Sequence, residues 1–392
     1  MRIGLIAPPW VPVPPPRYGG TEAVVDNLAR GLSALGHQVV LFTLGDSACP
    51  VHKFSLYERA VEPMGSGAYE AAHVLAAYDA LADVDIIHDH TLLGSLIGPA
   101  NSFGAAPRVV TNHGPFNAEA LRIFSATTAR GVALVAISQA QAVSAGSVPV
   151  TAVIHHGIDL DAYRLGPGGG DYLLFVGRMS PDKGVARAVR IAHRAGYRIV
   201  IASKVREADE RAYFAEAVRP LLRPSDEVLV EEPLAGRVEL LRHAPALIDP
   251  IAWPEPFGLV MTEALACGTP VLGCPYGAAP EIVDDGVTGF LARSEDDLVA
   301  AAGRLGSIDR LRCRAAAAQR FSMQRMAGDH ERLYARLLAA RPAADRWRHR
   351  PPVGPKSPQL GYVEPTGRPQ VRGSSSHEIA ALAPVTGAAP QA

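Results

Sequence analysis

The 392-residue sequence lacks the features that assign many proteins quickly to a class. No apolar run approaches the ~20 residues that a membrane-spanning helix needs. The start, MRIGLIAPPW, is too short in its apolar part for a signal peptide and is typical of a first buried strand. The cysteines show neither CxxC spacing nor a metal-ligand pattern with histidine, and we expect them to be small buried residues in a reducing compartment. They are Cys49, Cys267, Cys274 and Cys313.

Charge of one sign is also missing. With 38 basic and 39 acidic residues the net charge is −1, so no general attraction to nucleic acid or to an anionic membrane is expected. Any phosphate binding must then come from local placement of cations. These observations predict a cytoplasmic protein that binds no nucleic acid, and they make no prediction of its oligomeric state.

Short apolar runs alternate with helical patterns along the chain, which indicates parallel strands covered by helices. A Gly/Pro-rich stretch, Leu165–Gly170, separates two such series and is typical of a linker. We predict an α/β protein with two Rossmann-like parallel-sheet domains facing each other across a cleft. The predicted boundaries are 1–157 for the first domain, 158–320 for the second, 321–341 for a helix returning toward the first, and 342–392 for a disordered tail.

Individual elements follow from the same patterns. The strands predicted for the first domain are Arg2–Ala7, Gln38–Thr43, Asp85–His88, Arg108–Thr111, Ala133–Ala136 and Thr151–Ile154. Those predicted for the second are Tyr172–Val176, Arg198–Ile201, Glu227–Val230, Ala246–Ile248 and Pro270–Leu272. Predicted helices include Glu22–Leu35, Ala68–Ala82, Leu92–Phe103 and Met323–Ala340.

The segment EPFGLVMTE carries two carboxylates in two different settings. Glu255 lies in a loop broken by prolines, whereas Glu263 falls in the second turn of the helix that follows. The amides of Phe257, Gly258 and Leu259 at that helix start can bind an anion, and carboxylates accept sugar hydroxyls. This combination predicts a site for a ligand that is both anionic and polyhydroxylated, such as a nucleotide-sugar. The alternative is one solvated helical glutamate and one loop acid.

Two cations follow the first predicted strand of the second domain. Arg178 comes at the carboxyl end of that strand, after Gly177, and Lys183 lies near the start of the next helix. Open α/β sheets bind ligands beyond the carboxyl ends of their strands, so the pair can hold a diphosphate and stabilise it as it leaves. The alternative is two surface charges on a loop.

In the first domain, the loop after strand one ends in Gly19 and Gly20, which let backbone amides approach a phosphate. The alternative is an ordinary turn with Thr21 as helix cap. The pattern is not the GxGxxG fingerprint, which excludes a dehydrogenase. Histidines at strand ends raise the question of a metal, but His88 and His90 should alternate across a strand and point to opposite faces. We therefore predict no metal, and a hydrogen-bonding role in the cleft for His113.

Together these motifs resemble the retaining glycosyltransferases of family 4 (group 1), which have the GT-B fold. The resemblance covers about residues 1 to 340. It rests on Gly19-Gly20, on the TNH ending at His113, on Arg178 and Lys183, on Glu255 and Glu263, on Gly277–Glu281 and on Asp285–Phe290. Two departures are Asp249-Pro250, where the family commonly shows a Pro-Ser-like pair, and Ala278 in place of a glycine.

The resemblance implies a nucleotide-diphosphate sugar (UDP- or GDP-linked) held mainly by the second domain and an acceptor hydroxyl held mainly by the first. It implies retained anomeric configuration, no metal and no other cofactor, in polysaccharide or glycoconjugate synthesis. Arg178 and Lys183 would neutralise the leaving diphosphate and Glu263 would bind the ribose. Glu255 would hold the transferred hexose, and His113 would contact it near the reacting carbon.

Two other functions remain open at this point. One keeps the fold but makes the protein a nucleotide-sugar epimerase or hydrolase, and the other makes it a non-catalytic sugar-nucleotide-binding protein. The tail from Arg341 to Glu378 carries seven basic and three acidic residues, a balance of +4. That excess would favour weak peripheral contact with a membrane, whereas the simpler reading is a solvated tail.

Overall fold

The computed structural model describes residues 1–98 and 106–340. Within these ranges the chain builds two parallel β-sheets, each covered by helices, which confirms the predicted α/β class. The predicted tail lies outside the described residues, as does the end of the predicted helix Leu92–Phe103. In the described part of that helix, only Gly94–Ile97 is helical.

Seven of the described strands form the first sheet, in the order β3-β2-β1-β4-β5-β6-β7 with every neighbouring pair parallel. The strands are β1 (Arg2–Ile6), β2 (Gln38–Phe42), β3 (His52–Phe54), β4 (Ile86–Asp89), β5 (Arg108–Thr111), β6 (Ala133–Ala136) and β7 (Ala152–Val153). The helices are α1 (Gly20–Ala34), α2 (Gly67–Ala80), α3 (Gly94–Ile97), α4 (Ala118–Ala129) and α5 (Gln139–Ser144).

Successive side chains along the central strands point to opposite faces of the sheet, and both faces are buried. On β1, Ile3 and Leu5 pack with α1, whereas Ile6 packs with Val74 and Tyr78 of α2. Strands buried on both faces read as continuous apolar runs, which is how they were recognisable in the sequence. The strand β3 was missed because HKF has no apolar run, and it lies at the edge of the sheet.

The second sheet, counted within the described residues, has six strands in the order β10-β9-β8-β11-β12-β13. They are β8 (Tyr172–Arg178), β9 (Arg198–Lys204), β10 (Glu227–Val230), β11 (Ala246–Asp249), β12 (Val271–Gly273) and β13 (Gly289–Leu291). The helices are α6 (Val185–Arg194), α7 (Ala208–Tyr213), α8 (Leu234–His243), α9 (Leu259–Ala266), α10 (Ala279–Ile282), α11 (Glu295–Ala302) and α12 (Arg310–Phe321). The strand β13 was missed, and β8 runs two residues further than its prediction.

The chain passes between the two sheets twice, and the two passages are hydrogen-bonded to each other. The Ile158 amide donates to the Phe321 carbonyl at 2.8 Å, and the Met323 amide donates to the Ile158 carbonyl at 2.9 Å. After the second passage, helix α13 (Met323–Ala339) packs Met326 and Tyr334 into the core of the first sheet. We call β1–β7 with α1–α5 and α13 the first unit, and β8–β13 with α6–α12 the second unit.

The Gly/Pro-rich stretch Leu165–Gly170 is irregular, as expected, but it is not a free linker. The Gly166 amide donates to the Cys267 carbonyl at 3.0 Å, and the Gly170 amide donates to the His243 carbonyl at 2.9 Å. Both partners belong to the second unit, so this stretch moves with that unit. The passages at Ile158 and Ser322 are therefore the points about which the units can turn.

Candidate functional site

A cavity of about 380 Å³ lies between the two units, at the carboxyl ends of both sheets. In each sheet the strand order reverses next to a central strand, between β1 and β4 in the first and between β8 and β11 in the second. The loops after such strands diverge and leave a crevice in which ligands bind in open α/β sheets. Here two such crevices face each other and form one cavity.

The second-unit wall of the cavity contains an ion pair. Lys183, in the loop after β8, and Glu255, in the loop after β11, approach to 2.5 Å, and their side chains are 15% and 16% exposed. Burial lowers the pKa of Lys183, but the charges of Glu255 and Asp249 outweigh it and leave that pKa above its usual value. Lys183 is therefore a fixed positive charge in this wall.

Asp249, the last residue of β11, lies beside this pair and is 6% exposed. Burial raises its pKa to about 7, with Lys183 opposing the rise and Glu255 adding to it. The sequence marked Asp249 only as a departure from the family, and the structure shows that its side chain lines the cavity. It is a site residue that sequence reasoning missed.

Glu263 lies on helix α9, and its carboxylate also lines the cavity. The hydroxyl of Tyr163 donates to its Oε1 at 2.7 Å, which fixes the carboxylate and leaves its second oxygen for a ligand. Tyr163 is buried in the segment between the sheets and is separated from Glu263 by 100 positions. No local sequence pattern signals this contact.

The turn before α9 depends on glycine. Gly258 caps the helix with φ 109°, a conformation that side-chain-bearing residues rarely adopt. Phe257, Gly258 and Leu259 all line the cavity, and the first amides of a helix have no partner within it. A Cβ on Gly277 would lie 2.1 Å from the Glu255 carbonyl, so a glycine there lets the following loop close against the acid loop.

Arg178 differs from the other predicted residues. It is the last residue of β8 rather than the first after it, and it lies outside the lining of the cavity. Its guanidinium is 3.3 Å from Asp182, and its side chain is 41% exposed. Its charge still reaches the cavity rim, where it acts with Lys183 against the burial that raises the pKa of Tyr18.

The first-unit wall includes the predicted loop at Gly19 and Gly20, next to Tyr18. Helix α1 begins at Gly20 and has no side-chain cap, so Thr21 is not the helix cap that the alternative required. Gly20 faces the second unit, since a Cβ on it would meet only a side-chain carbon of Leu259, at 3.5 Å. This loop therefore closes the cavity against helix α9.

Histidines from the ends of neighbouring strands supply another part of this wall, beside Asp26 and Arg30 of α1, which form an ion pair at 2.8 Å. His113, after β5, lines the cavity, and its Nε2 is 2.9 Å from Nδ1 of His90, after β4. The ring of His156 stacks on His113 with centroids 5.1 Å apart. Burial lowers the pKa of all three, that of His113 to about 3, so the rings are neutral.

The expectation that His88 and His90 point to opposite faces is wrong. Their ring centroids are 4.1 Å apart. Strand β4 ends at Asp89, so His90 is already outside it and the alternation of side chains no longer applies. Even so, no group of three or more His, Cys, Asp or Glu side chains within residues 1–98 and 106–340 is arranged to hold a metal ion.

A second contact zone between the units lies beside the cavity and centres on Glu281 of α10. One of its oxygens accepts from the Ala140 amide, and the other from the Gln139 amide and His155 Nε2, each at 2.8 Å. Ser138 donates to the Pro256 carbonyl at 2.6 Å. The first turn of α5 thus receives a carboxylate from the other unit, where the helix dipole stabilises it.

Two remaining expectations concern the rest of the molecule. All four cysteines are free and buried, as predicted. Across the part of the chain that is described, no helix combines the length and apolarity needed to cross a membrane.

The two facing sheets have the GT-B fold, and two family models meet a few residues after Ile158, where the chain passes from the first unit to the second. The model for Glycosyltransferase Family 4 matches residues 18–162, and the model for glycosyl transferases group 1 matches residues 164–320. The chain therefore belongs to the family 4 (group 1) glycosyltransferases.

Among solved structures, a glycosyltransferase involved in avilamycin A biosynthesis is 29% identical, with a TM-score of 0.65 over 87% of this chain and 98% of that one. HepE of Anabaena, solved with UDP and glucose, superposes with a TM-score of 0.68 over 87% of this chain and 100% of its own. At 20% identity the second likeness shows the fold alone.

Curated relatives are similar over shorter or weaker alignments. A D-inositol 3-phosphate glycosyltransferase of Mycolicibacterium paratuberculosis is 34% identical over 37% of this chain and 36% of its own length. An alpha-maltose-1-phosphate synthase of Mycobacterium tuberculosis is 27% identical over 72% of each chain. The chain thus spans little more than a third of the first of these relatives.

Proposed function

We propose that the protein transfers a hexose from a UDP- or GDP-linked sugar to an acceptor hydroxyl, without a metal and with retention of the anomeric configuration. The observation that carries this proposal is the meeting of Lys183, Glu255 and Glu263 with the amides of the Phe257–Leu259 turn in one cavity between two sheets. The cavity combines a cation that can bind phosphate, carboxylates that can accept sugar hydroxyls, and the amides of a helix start. This combination fits a whole sugar nucleotide better than it fits a free sugar or a free phosphate.

The donor would lie along the second-unit wall. Lys183 would exchange its ion pair with Glu255 for an ion pair with the diphosphate. The carboxylate of Glu255 would then accept hydroxyls of the hexose. The free oxygen of Glu263 would accept a ribose hydroxyl, while Tyr163 keeps the carboxylate oriented. The acceptor would enter from the first-unit side, beside His113 and the Gly19-Gly20 loop.

In the reaction, the bond from the anomeric carbon to the diphosphate oxygen breaks, and the acceptor oxygen bonds to that carbon on the same face. The acceptor proton passes to an oxygen of the departing diphosphate, whose charge Lys183 stabilises. Closure of the two units about Ile158 and Ser322 would exclude water, which would otherwise hydrolyse the donor.

The test begins with thermal shifts against UDP- and GDP-linked glucose, galactose and mannose. A donor at 100 times its dissociation constant would add ~2.7 kcal/mol of stability. The stabilising donor is then incubated with acceptors that include D-inositol 3-phosphate, which the name of one relative contains. Proton NMR of the product reports the anomeric configuration.

Each alternative predicts a different result. An epimerase or hydrolase converts the donor at full rate without any acceptor, and a binding protein is stabilised but converts nothing. Inversion at the anomeric carbon would refute the retaining part of the proposal. Loss of activity with EDTA and its recovery with Mn²⁺ would refute the metal-free part.

A further inference from the structure

Five histidine rings form a continuous row from helix α13 to the cavity. His330 of α13 lies 5.1 Å from His88, which lies 4.1 Å from His90. His90 lies 5.2 Å from His113, and His113 lies 5.1 Å from His156, all between ring centroids. The proposed function uses only His113 of these five rings, so the role of the others is open.

Within the row, one contact joins two imidazoles by a hydrogen bond. Nδ1 of His90 is 2.9 Å from Nε2 of His113. The side chain of His113 lines the cavity, and since its Nε2 is engaged by His90, Nδ1 is the nitrogen available to a ligand. Whether that Nδ1 donates or accepts therefore depends on which ring donates in the His90–His113 bond.

We propose that His90 is a positioning residue for His113: its Nδ1–H donates to Nε2 of His113 and so holds the His113 proton on Nδ1, facing the cavity. The inference rests on the proposed function. Within that function, it assigns His113 the role of a neutral donor to an oxygen of the transferred sugar. His90 itself lies behind His113 and does not line the cavity.

The direction of the bond follows from the surroundings of His90. Its Nε2 is buried and has no hydrogen-bond partner within the described residues. A neutral imidazole carries one proton, so a proton on Nε2 would be a buried N–H without an acceptor, which native structures avoid most strictly. The remaining arrangement puts the proton on Nδ1, toward His113.

The neighbours of His90 keep it neutral and in place. The charged or titratable groups that influence its ring are other histidines, His113 and His330, and burial lowers its pKa well below the usual value. On its other side it packs against His88, whose two nitrogens are held by the hydroxyls of Tyr334 and Thr111, at 2.6 and 2.7 Å. Both nitrogens of His88 therefore have hydrogen-bond partners already, and His88 does not compete for the hydrogen bond between His90 and His113.

The first measurement needs no ligand. In the full chain labelled with ¹⁵N-histidine, two-bond nitrogen–proton spectra should show His113 protonated on Nδ1 and His90 protonated on Nδ1. In His90→Phe, which keeps a ring but removes the donor, His113 should become a mixture of the two tautomers. His113 protonated on Nε2 in the unmodified chain would overturn the proposal outright.

The second measurement compares calorimetric binding of UDP-glucose with UDP, and of GDP-mannose with GDP. If His113 donates to the sugar, His90→Phe should weaken binding of the preferred sugar nucleotide about fivefold, the effect of one neutral hydrogen bond, and leave the nucleotide alone unchanged. His90→Asn should restore most of the loss, because its amide nitrogen can take the position of Nδ1. His90→Gln, whose amide reaches further, should not.

His330→Phe serves as the matched control, since His330 belongs to the same buried row but, among residues 1–98 and 106–340, its ring bonds only to the Met326 carbonyl of its own helix, at 2.9 Å. It should leave both affinities unchanged. Equal weakening of sugar nucleotide and nucleotide in His90→Phe would refute the positioning role. If no sugar nucleotide binds to the unmodified chain, the proposed function fails, whereas the tautomer measurement still decides the role of His90.

Discussion

The strand-end loops of the second unit bring charged side chains together in the cavity, whereas those of the first unit bring imidazoles that burial holds neutral. Lys183 and Glu255 form an ion pair there, with Asp249 beside them. Opposite them, His113 stacks on His156 and bonds to His90. Both walls are made of strand-end loops of similar sheets, so the fold does not determine this difference.

The difference suits the two parts of a sugar nucleotide. A diphosphate is charged in every step, and a cation that can exchange its carboxylate partner can follow it from binding to departure. A sugar or acceptor hydroxyl is neutral, and a neutral imidazole bonds to it without the cost of burying a charge. Substitutions in the two walls test this division, beginning with the largest expected effect.

Lys183→Met should weaken donor binding most, by about 100-fold, because it removes a buried cation from the diphosphate site. Calorimetry with UDP-glucose and GDP-mannose measures it. The single change also leaves the buried carboxylate of Glu255 without its cationic partner. The double variant Lys183→Met/Glu255→Gln is therefore measured beside it. If the double variant binds the donor as the unmodified chain does, the charged wall is not the phosphate site.

Glu263→Gln should weaken binding of nucleotides about tenfold, since a charged acceptor of a ribose hydroxyl becomes a neutral one. The loss should vanish when the same comparison is made with 2′,3′-dideoxy nucleotides, which lack the hydroxyls. Tyr163→Phe should show a smaller loss of the same kind, because it frees the carboxylate but keeps its charge. An equal loss with the dideoxy ligand would point to a structural effect instead.

The pKa of Asp249 gives the charged wall a pH dependence. Its pKa is raised to about 7, so the carboxyl is protonated below that value and becomes an anion above it. A donor diphosphate favours the protonated form, and binding should therefore weaken about fivefold as the pH rises from about 6 to about 8. The ligand should be a sugar nucleotide, whose phosphates do not titrate in this interval.

Asp249→Asn should make the affinity nearly independent of pH over the same interval. The other groups that influence Asp249 are Lys183 and Glu255, and the pKa of Lys183 is raised, which keeps it charged throughout. The imidazoles of the first-unit wall do not titrate in this interval, since burial lowers the pKa of His113 to about 3 and that of His156 well below its usual value. A pH dependence that survives in Asp249→Asn would assign it to another group.

Arg178→Met should have the smallest effect, less than about twofold on donor binding, because an exposed ion pair contributes little and this side chain lies outside the cavity. The calorimetric assay used for Lys183→Met applies here too, and both variants replace a basic residue by methionine. A loss as large as that of Lys183→Met would show that Arg178 swings into the site when the donor binds.

Most of the fold and much of the site could be predicted from the sequence. Buried parallel strands leave apolar runs, and the motifs around Lys183, Glu255 and Glu263 are local, so spacing alone locates them on loops and helix starts. The short edge strand β3 carries no such run and was missed. Arg178 was paired with Lys183 because both follow the same strand, but β8 continues through Arg178, which lies outside the lining of the cavity.

What the sequence by itself determined is the class of fold and the residues on each strand-end loop, because these depend on apolar periodicity and short-range spacing. Only the tertiary structure decided the contacts between distant segments: Tyr163 with Glu263, His90 with His113, and Asp249 beside Lys183. It also decided the charge states, since burial in the assembled cavity sets the pKa of Asp249 and His113. The sequence shows which chemical group lies at the end of a strand. The groups that it contacts are fixed only when loops from distant parts of the chain come together.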